Sequence, residues 1–343
     1  MNQKNPSHQK LTHPSIGVEI IGTGQAIPDK VLSNEDLKQY METSDEWIRQ
    51  RTGIRERRIA DPAKGEDVVW MCSKALRAAI EDAGIDPSEI DLLIVGTVSG
   101  TMTCPSTACR VAAEVGAIGA GAFDVLAACS AFVYGTNLAH DLIRGGNYKT
   151  IAVIGCDIMS SMLDYSNRSV SILFGDAAGA AILRACDDPT KGTLTSVMHA
   201  DGRGWADLFI PTRDHDFPAD TEPDEYKMGT LRMNGRGVYK FAVSKFPQLI
   251  QETLDRVEMS ADDIDLFLCH QSNLRMLESA RERFGIPEEK MPINIDRLGN
   301  CSAGSVSVLL HESRQAGRCN DGDLVLFLAF GGGLTWASSL WRF

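Results

Sequence analysis

The stretch IEDAGIDPSEIDLLIVG, residues 80–96, returns later in the chain as LDRVEMSADDIDLFLCH, residues 254–270, with Ile90-Asp91-Leu92 lying over Ile264-Asp265-Leu266. At nearly the same offset CSAFVYGTNLAHDLIRGG (129–146) lies over CSAGSVSVLLHESRQAG (301–317). Each of these leads into an apolar run, TIAVIGCD (150–157) or LVLFLAFGGG (324–333). The matches are short, and Ala- and Gly-rich sequence produces some by coincidence; two of them in the same order point to an internal duplication. A duplicated α/β unit brings the ends of equivalent strands together near a pseudo-twofold axis, where a site can draw residues from both halves.

Outward from that stretch, apolar runs of strand length alternate with helical patterns. IGVEIIGTG (16–24), IDLLIVGTV (90–98), GAFDVLAA (121–128) and KTIAVIGCD (149–157) read as strands. ALRAAIEDAG (75–84), STACRVAAEVG (106–116) and VYGTNLAHDLIRGG (133–146) read as helices, the last stopped by Gly145-Gly146. Such alternation predicts a layered α/β fold. The expected organisation is a loose tail over 1–15, a first half over 16–184 and a second over 185–343. ACDDPTKGTL (185–194) and PTRDHDFPADTEPDEYKMG (211–229) read as loops flanking a short strand pair.

A chain of 343 residues with 43% hydrophobic content can bury a large core. No apolar run approaches the roughly 18 residues a membrane helix needs, and the polar start MNQKNPSHQKLTHPS lacks the apolar centre of a secretion signal. A cytoplasmic protein is expected. Nine cysteines without a CxxC pair fit neither a disulfide framework nor a zinc site. The net charge of −12 argues against general affinity for nucleic acid or anionic membrane, although a local basic patch can still hold an acidic partner.

Cys129 stands where an apolar run gives way to a helix. Free backbone N–H groups and the helix dipole favour the thiolate there, while a core thiol is the plain reading of any buried cysteine. A nucleophilic thiol needs a partner. His270 ends the strand IDLFLC and opens the polar run HQSN, so it should project into a cleft. His8 and His13 lie in the tail, His215 in the acidic loop, His140 and His311 inside helices; His199 is the rival, read as a turn residue. Asn300, beside the residue that the repeat equates with Cys129, can donate an amide hydrogen bond to a developing oxyanion or simply cap the next helix; both readings stay open. FGGGLTW (330–336) supplies backbone that can approach a ligand closely, or forms a tight turn.

Taken in order, SDEWIRQRTGIRERR (44–58), ACSAF (128–132), FGDAAGAAIL (174–183), HQSNLR (270–275), GNCSAGS (299–305) and FGGGLTW closely resemble the β-ketoacyl-[acyl-carrier-protein] synthase III family of type II fatty acid synthesis, from about residue 16 to Phe343. The resemblance implies a thiolase-like fold of two similar βαβαβ-containing halves in α-β-α-β-α layers, a homodimer, and a ping-pong decarboxylative Claisen condensation of an acyl-CoA with malonyl-acyl carrier protein, without metal or redox cofactor. It places the catalytic triad on Cys129, His270 and Asn300 and the oxyanion hole on the N–H groups of Cys129 and Gly332. Trp47, Arg51 and Arg168 would grip the adenine end of CoA, with Asn273 near the pantetheine channel. Cys104 and Phe330 would border the acyl pocket. Lys240, Arg275, Arg281 and Arg283 would meet the acidic carrier protein, a patch diluted by Glu278 and Glu282.

Two positions depart from the family pattern. Cys104 stands before PSTAC where the family commonly has an aromatic residue that closes the acyl pocket from across the dimer, which predicts tolerance of primers longer or more branched than acetyl. Ala131 replaces a usual glycine beside the nucleophile. Among rival readings, a relative in secondary metabolism would keep Cys129 and use another acceptor. A degradative thiolase would carry a second cysteine near its end, which FLAFGGGLTW lacks; Cys301 and Cys319 look structural. A non-catalytic acyl-CoA or carrier-protein module on the same fold is disfavoured by a complete Cys-His-Asn set. A dinucleotide site at GTGQAIP (22–28) fails because no helix opens there and Pro28 interrupts the run.

Overall fold

The computed structural model describes residues 16–213, 217–218 and 227–343. The expected tail over 1–15, His215 and much of the acidic loop lie outside the described residues. The two main sheets repeat one plan. In the first, β1 (Gly17–Ala26), β2 (Leu92–Gly96), β3 (Gly121–Val125), β4 (Thr150–Ile158) and β5 (Asp176–Cys186) lie in the order β1-β5-β4-β2-β3, with β2 parallel to both β3 and β4 and the other pairs antiparallel. In the second, β6 (Gly192–Ala200), β7 (Leu266–Cys269), β8 (Leu324–Gly331) and β9 (Thr335–Arg342) lie in the order β6-β9-β8-β7, with only β7 and β8 parallel. Thus β6 repeats β1, β9 repeats β5, β8 repeats β4 and β7 repeats β2, while β3 has no named counterpart.

Register and capping carry the duplication down to single residues. Leu92 pairs with Ile151, and its match Leu266 pairs with Val325. Asp91 accepts hydrogen bonds from the N–H groups of Lys149 and Thr150 at 2.7 and 2.9 Å, and Asp265 accepts one from Leu324 at 2.8 Å. Capping boxes at Asp86/Glu89 and Ser260/Asp263 precede the two strands.

Among the described residues the helices of eight or more residues are α1 (Asp45–Thr52), α2 (Val68–Ala83), α3 (Thr107–Val115), α4 (Ala131–Arg144), α5 (Gly235–Arg256), α6 (Leu274–Phe284) and α7 (Gly304–Gln315). Strands buried on both faces split their apolar residues by the two-residue period. Leu93 and Val95 face α2 and α3 in one core. Leu92 and Ile94 face α4 and α7 in a central core shared with Leu266, Leu268, Val325 and Phe327 of the second sheet. Phe267 and Cys269 face α5 and α6 in a third. Five layers, α-β-α-β-α, result. Among the described residues no helix is long and apolar enough to cross a membrane.

Two expectations about the elements need correction. The loop expected over 185–194 shortens to 187–191: β5 runs through Cys186 and β6 starts at Gly192, because both ends keep ladder hydrogen bonds to their neighbours despite the polar composition. The strand expected over 121–128 stops at Val125; Ala127 leaves the ladder and Ala128 turns to φ 47°, starting the short 3-10 turn Ala128–Ser130 that enters α4.

Candidate active site

Cys129 lies in that turn, at the N-terminal end of the fourteen-residue α4, and is buried. Its Sγ donates to Ser302 Oγ at 3.3 Å. Burial dominates over the helix N-terminus: the thiol is pushed up to about 12, opposed by the Ser302 hydrogen bond and reinforced by buried Asp157. The expected resting thiolate is therefore replaced by a neutral thiol.

His270 leaves the end of β7 and packs its imidazole edge-on against Phe330, ring centroids 5.4 Å apart. Its Nδ1 is buried with no hydrogen-bond partner, which leaves Nε2 as the nitrogen able to meet a ligand. Burial lowers its pKa to about 3, so the ring is neutral near pH 7. Asn300 is held at both backbone groups: its N–H donates to Leu173 O at 2.8 Å and its C=O accepts from Gly175 N–H at 3.1 Å. Its Oδ1 accepts from Ser302 N–H at 2.9 Å, so the amide Nδ2 is the end left to donate.

The three side chains line one cavity of about 120 Å³, with Phe330, Ser272 and Asn273 on the same wall. Cys129 also borders a second, larger cavity of about 410 Å³, walled by Val98, Leu126, Met159, Phe209 and Ile210 and including Gly332. The thiol thus stands where two mainly apolar cavities meet, and His270 and Asn300 bring their polar groups into the first of them. A Cβ placed on Gly331 would come within 2.7 Å of the Cys129 backbone N, so a glycine is required for this close approach.

Profiles for 3-oxoacyl-[acyl-carrier-protein] synthase III match residues 123–202, and for the C-terminal part of the same enzymes residues 254–343. A β-ketoacyl-[acyl-carrier-protein] synthase III of Caldanaerobacter subterraneus is 42% identical over 95% of this chain and 97% of its own. A synthase III 1 of Bacillus cereus is 42% identical over 94% and 98%. The chain belongs to the β-ketoacyl-[acyl-carrier-protein] synthase III family. It is an acyltransferase of the condensing type. The crystal structure of the synthase III from Aquifex aeolicus, 38% identical, superposes with a TM-score of 0.88 over 95% of this chain and all of that one, which establishes the thiolase-like fold.

The other residues that the synthase III resemblance singled out fall into separate groups. Arg51 and Arg168 both stand over the Trp47 indole, 4.6 and 4.5 Å from guanidinium carbon to ring centroid. Asn273 caps α6 through Arg275 N–H and donates from Nδ2 to Arg51 O at 3.0 Å, joining this aromatic-cation cluster to the cavity of His270 and Asn300 that it also lines. Lys240 on α5 and Arg275 and Arg283 on α6 are exposed, whereas Arg281 is paired with Glu288 at 3.2 Å. Phe330 lines the cavity of His270 and Asn300. Cys104 is exposed and lines neither cavity of the single chain. Ala131 points its methyl at Gly96, away from both cavities. The rival His199 is a strand residue of β6, paired with Glu252 at 3.0 Å, away from the thiol. Cys301 is buried and donates to Leu298 O at 3.4 Å. Ser302 was missed by the sequence reading; its φ of 49°, strained for a non-glycine, leaves no mark in sequence.

Proposed function

We propose that the chain is a β-ketoacyl-[acyl-carrier-protein] synthase III that starts fatty acid synthesis by condensing an acyl-CoA with malonyl-acyl carrier protein. The single observation that carries the residue assignment is the thiol where the two cavities meet, with two neutral hydrogen-bond donors on one side and an apolar chamber on the other. In the first half-reaction Cys129 sulfur attacks the acyl thioester carbon, the carbon–sulfur bond to CoA breaks, and the thiol proton ends on the CoA sulfur. The N–H groups of Cys129 and Gly332 hold the oxyanion.

In the second half-reaction the malonyl carbon–carbon bond breaks, CO2 leaves, and the electron pair becomes an enolate whose oxygen accepts from His270 Nε2–H and Asn300 Nδ2–H. Neutral imidazole suits this task, since it donates without needing a proton from solvent. The carbanion attacks the acyl-Cys129 carbon, the carbon–sulfur bond to Cys129 breaks, and the released thiolate takes up a proton from solvent. Loss of CO2 supplies the driving force, so the scheme calls for no metal or redox cofactor.

Trp47, Arg51 and Arg168 suit the adenine of CoA, since a planar base can stack with an indole or a guanidinium. Exposed Lys240, Arg275 and Arg283 suit an acidic carrier protein. Ile118 and Leu126, 76% and 81% exposed, lie with Phe123 at the free edge of β3 and support a homodimer through that edge, which would also bring a partner chain to the open apolar chamber. The halves 16–184 and 185–343 then act as one site, in the cytoplasm, where the CoA and carrier-bound substrates would meet it. The apolar chamber and the small Cys104 favour primers longer or more branched than acetyl.

The test is mass spectrometry of the protein after incubation with acetyl-, branched and medium-chain acyl-CoAs, with Cys129→Ala as control. A single acyl adduct absent from the variant, followed by 3-oxoacyl product on adding malonyl-acyl carrier protein, is expected. Acylation that persists in Cys129→Ala refutes the nucleophile, and a sharp preference for acetyl-CoA refutes the primer assignment.

A further inference from the structure

Arg57 is a fully buried arginine with no carboxylate within ion-pair distance among the described residues. It sits in the short strand Glu56–Arg58. Burial lowers its pKa to about 10, so it stays charged at neutral pH. A buried charge is costly unless its donors are satisfied, and an apolar side chain of similar volume usually serves stability as well or better. What the guanidinium holds is therefore informative.

Nη1 donates to Leu32 O at 3.0 Å and Asn34 Oδ1 at 2.9 Å; Nη2 donates to the same Oδ1 at 3.0 Å and to Ile172 O at 2.8 Å. Nε has no partner. Gly175 and Gly299 both press on the arginine stem: a Cβ on either would lie 3.0 or 3.2 Å from Arg57 Cβ. These glycines border the one place where 173–175 meets Asn300, the two backbone hydrogen bonds to Leu173 and Gly175. Both strands of that joint therefore rest on one side chain. On its other side Asn34, which accepts from both Nη groups, donates from Nδ2 to Asp45 at the start of α1 and to Ile54 O just beyond its end. The helix carrying Trp47 and Arg51 is tied through Asn34 and Arg57 to the backbone of Asn300.

We propose that Arg57 is a positioning residue that fixes the Asn300 amide for the condensation half-reaction; this rests on the reading of Asn300 as an enolate donor. Arg57 touches neither substrate nor thiol in this assignment. Its effect on the chemistry falls on the step that uses Asn300, because Cys129 is placed by α4 and β8, while its tie to α1 through Asn34 bears only on the affinity for acyl-CoA.

The experiment compares Arg57→Lys, Asn300→Ala and the double variant in the full-length enzyme, reading Cys129 acylation by acyl-CoA and condensation with malonyl-acyl carrier protein separately. The conservative lysine keeps the charge but not the fork. Arg57→Lys is expected to slow condensation at least about tenfold with acylation at saturating acyl-CoA within about twofold of the parent, since small misplacements of a reacting group cost this much or more. The double variant should condense no more slowly than Asn300→Ala alone, because a positioning effect vanishes with the group positioned. Effects that multiply, or equal losses in both half-reactions, overturn the proposal. Condensation unchanged in Asn300→Ala overturns the Asn300 reading itself, while loss in Asn300→Ala with none in Arg57→Lys overturns only the role of Arg57. Should Arg57→Lys not fold, Asn34→Ala removes the shared acceptor and leaves the arginine in place; because Asn34 also holds both ends of α1, acylation is then compared only at saturating acyl-CoA, where the same selective loss of condensation is expected and the same outcomes count against it.

Discussion

The two halves keep one scaffold and put different chemistry at matching positions. At the end of the first parallel strand one half has Gly96 and the other His270. At the entrance to the central helix one has Ala128-Cys129 and the other Asn300-Cys301. At the end of the next strand one has buried Asp157 and the other Gly331. These differences are complementary. Gly96 has no room for a side chain, since a Cβ there would fall 2.6 Å from the Ala131 Cβ, whereas the matching His270 lines the cavity beside Cys129 and Asn300. Asp157 collects the N–H groups of Val98 and Ser99, the Thr97 hydroxyl and Ala303 N–H near the start of α7, whereas Gly331 leaves the start of α4 open around Cys129. A duplicated fold thus offers two equivalent helix entrances; one holds the thiol beside an open backbone and the other presents an amide beside a filled one.

The sharpest way to break that comparison is to remove the two equivalent cysteines. Cys129→Ala should lower condensation by roughly a thousandfold or more and abolish the acyl adduct, because the covalent route is lost. Cys301→Ala should leave turnover within about twofold and cost about 1 to 2 kcal/mol of stability, a buried small side chain lost from a packed site. Steady-state rates with urea unfolding check both. A catalytic loss in Cys301→Ala would make the second entrance functional in its own right.

Next in size is Gly331→Ala. Its new methyl meets backbone at Cys129 N, so the thiol must shift or the N–H must be covered. Acylation should fall by about a hundredfold, as expected when an oxyanion donor is displaced. A single-turnover acylation assay reads this directly, and a variant acylated at the parent rate would show that the open backbone at this entrance is not needed.

His270 and Gly96 differ in protonation as well as shape. The folded imidazole is held near pKa 3 against an unfolded value of 6.5. Between those values the unfolded chain binds a proton that the folded chain refuses, so stability is fully present above about pH 6.5 and falls with acidification. The slope is about 1.4 kcal/mol per pH unit for a single fully linked site. His270→Gln should flatten the urea-unfolding midpoint between pH 7 and 5 relative to the parent. An unchanged slope would mean that the ring is solvated and that its neutrality has another cause.

Much of this asymmetry was legible in sequence. The match of 80–96 to 254–270 located both parallel strands, and the polar run after LFLC marked His270 as a strand-end residue. The apolar periodicity of α2, α3 and α4 was plain because each buries one face or stripe. What was hidden depends on partners distant in the chain. Arg57 sits in a run of charges, RERR, that reads as surface, and only the carbonyl of Ile172 and the amide of Asn34 make its burial tolerable. The neutral state of Cys129 follows from the burial of its thiol among residues distant in the chain, which the helix-start pattern does not report. The start of β6 at Gly192-Thr193-Leu194 reads as loop because it follows the turn formers of 187–191 and, as an edge strand, tolerates polar residues.

The smallest effect tests the part of the comparison in which the halves are the same. Asp91 and Asp265 each cap the start of the neighbouring parallel strand, with two N–H partners in the first half and one in the second. Both carboxylates are at the surface, so replacing either by alanine exposes the freed N–H groups to water and does not strand them. Each substitution should cost about 1 kcal/mol, Asp91→Ala somewhat more than Asp265→Ala, with catalysis unchanged because neither strand end faces the thiol. Urea titrations of the two variants and of the pair check this. Additive losses of similar size would show that the duplicated cap does one job twice, while a loss confined to Asp91→Ala would mean that the second half no longer depends on the contact it inherited.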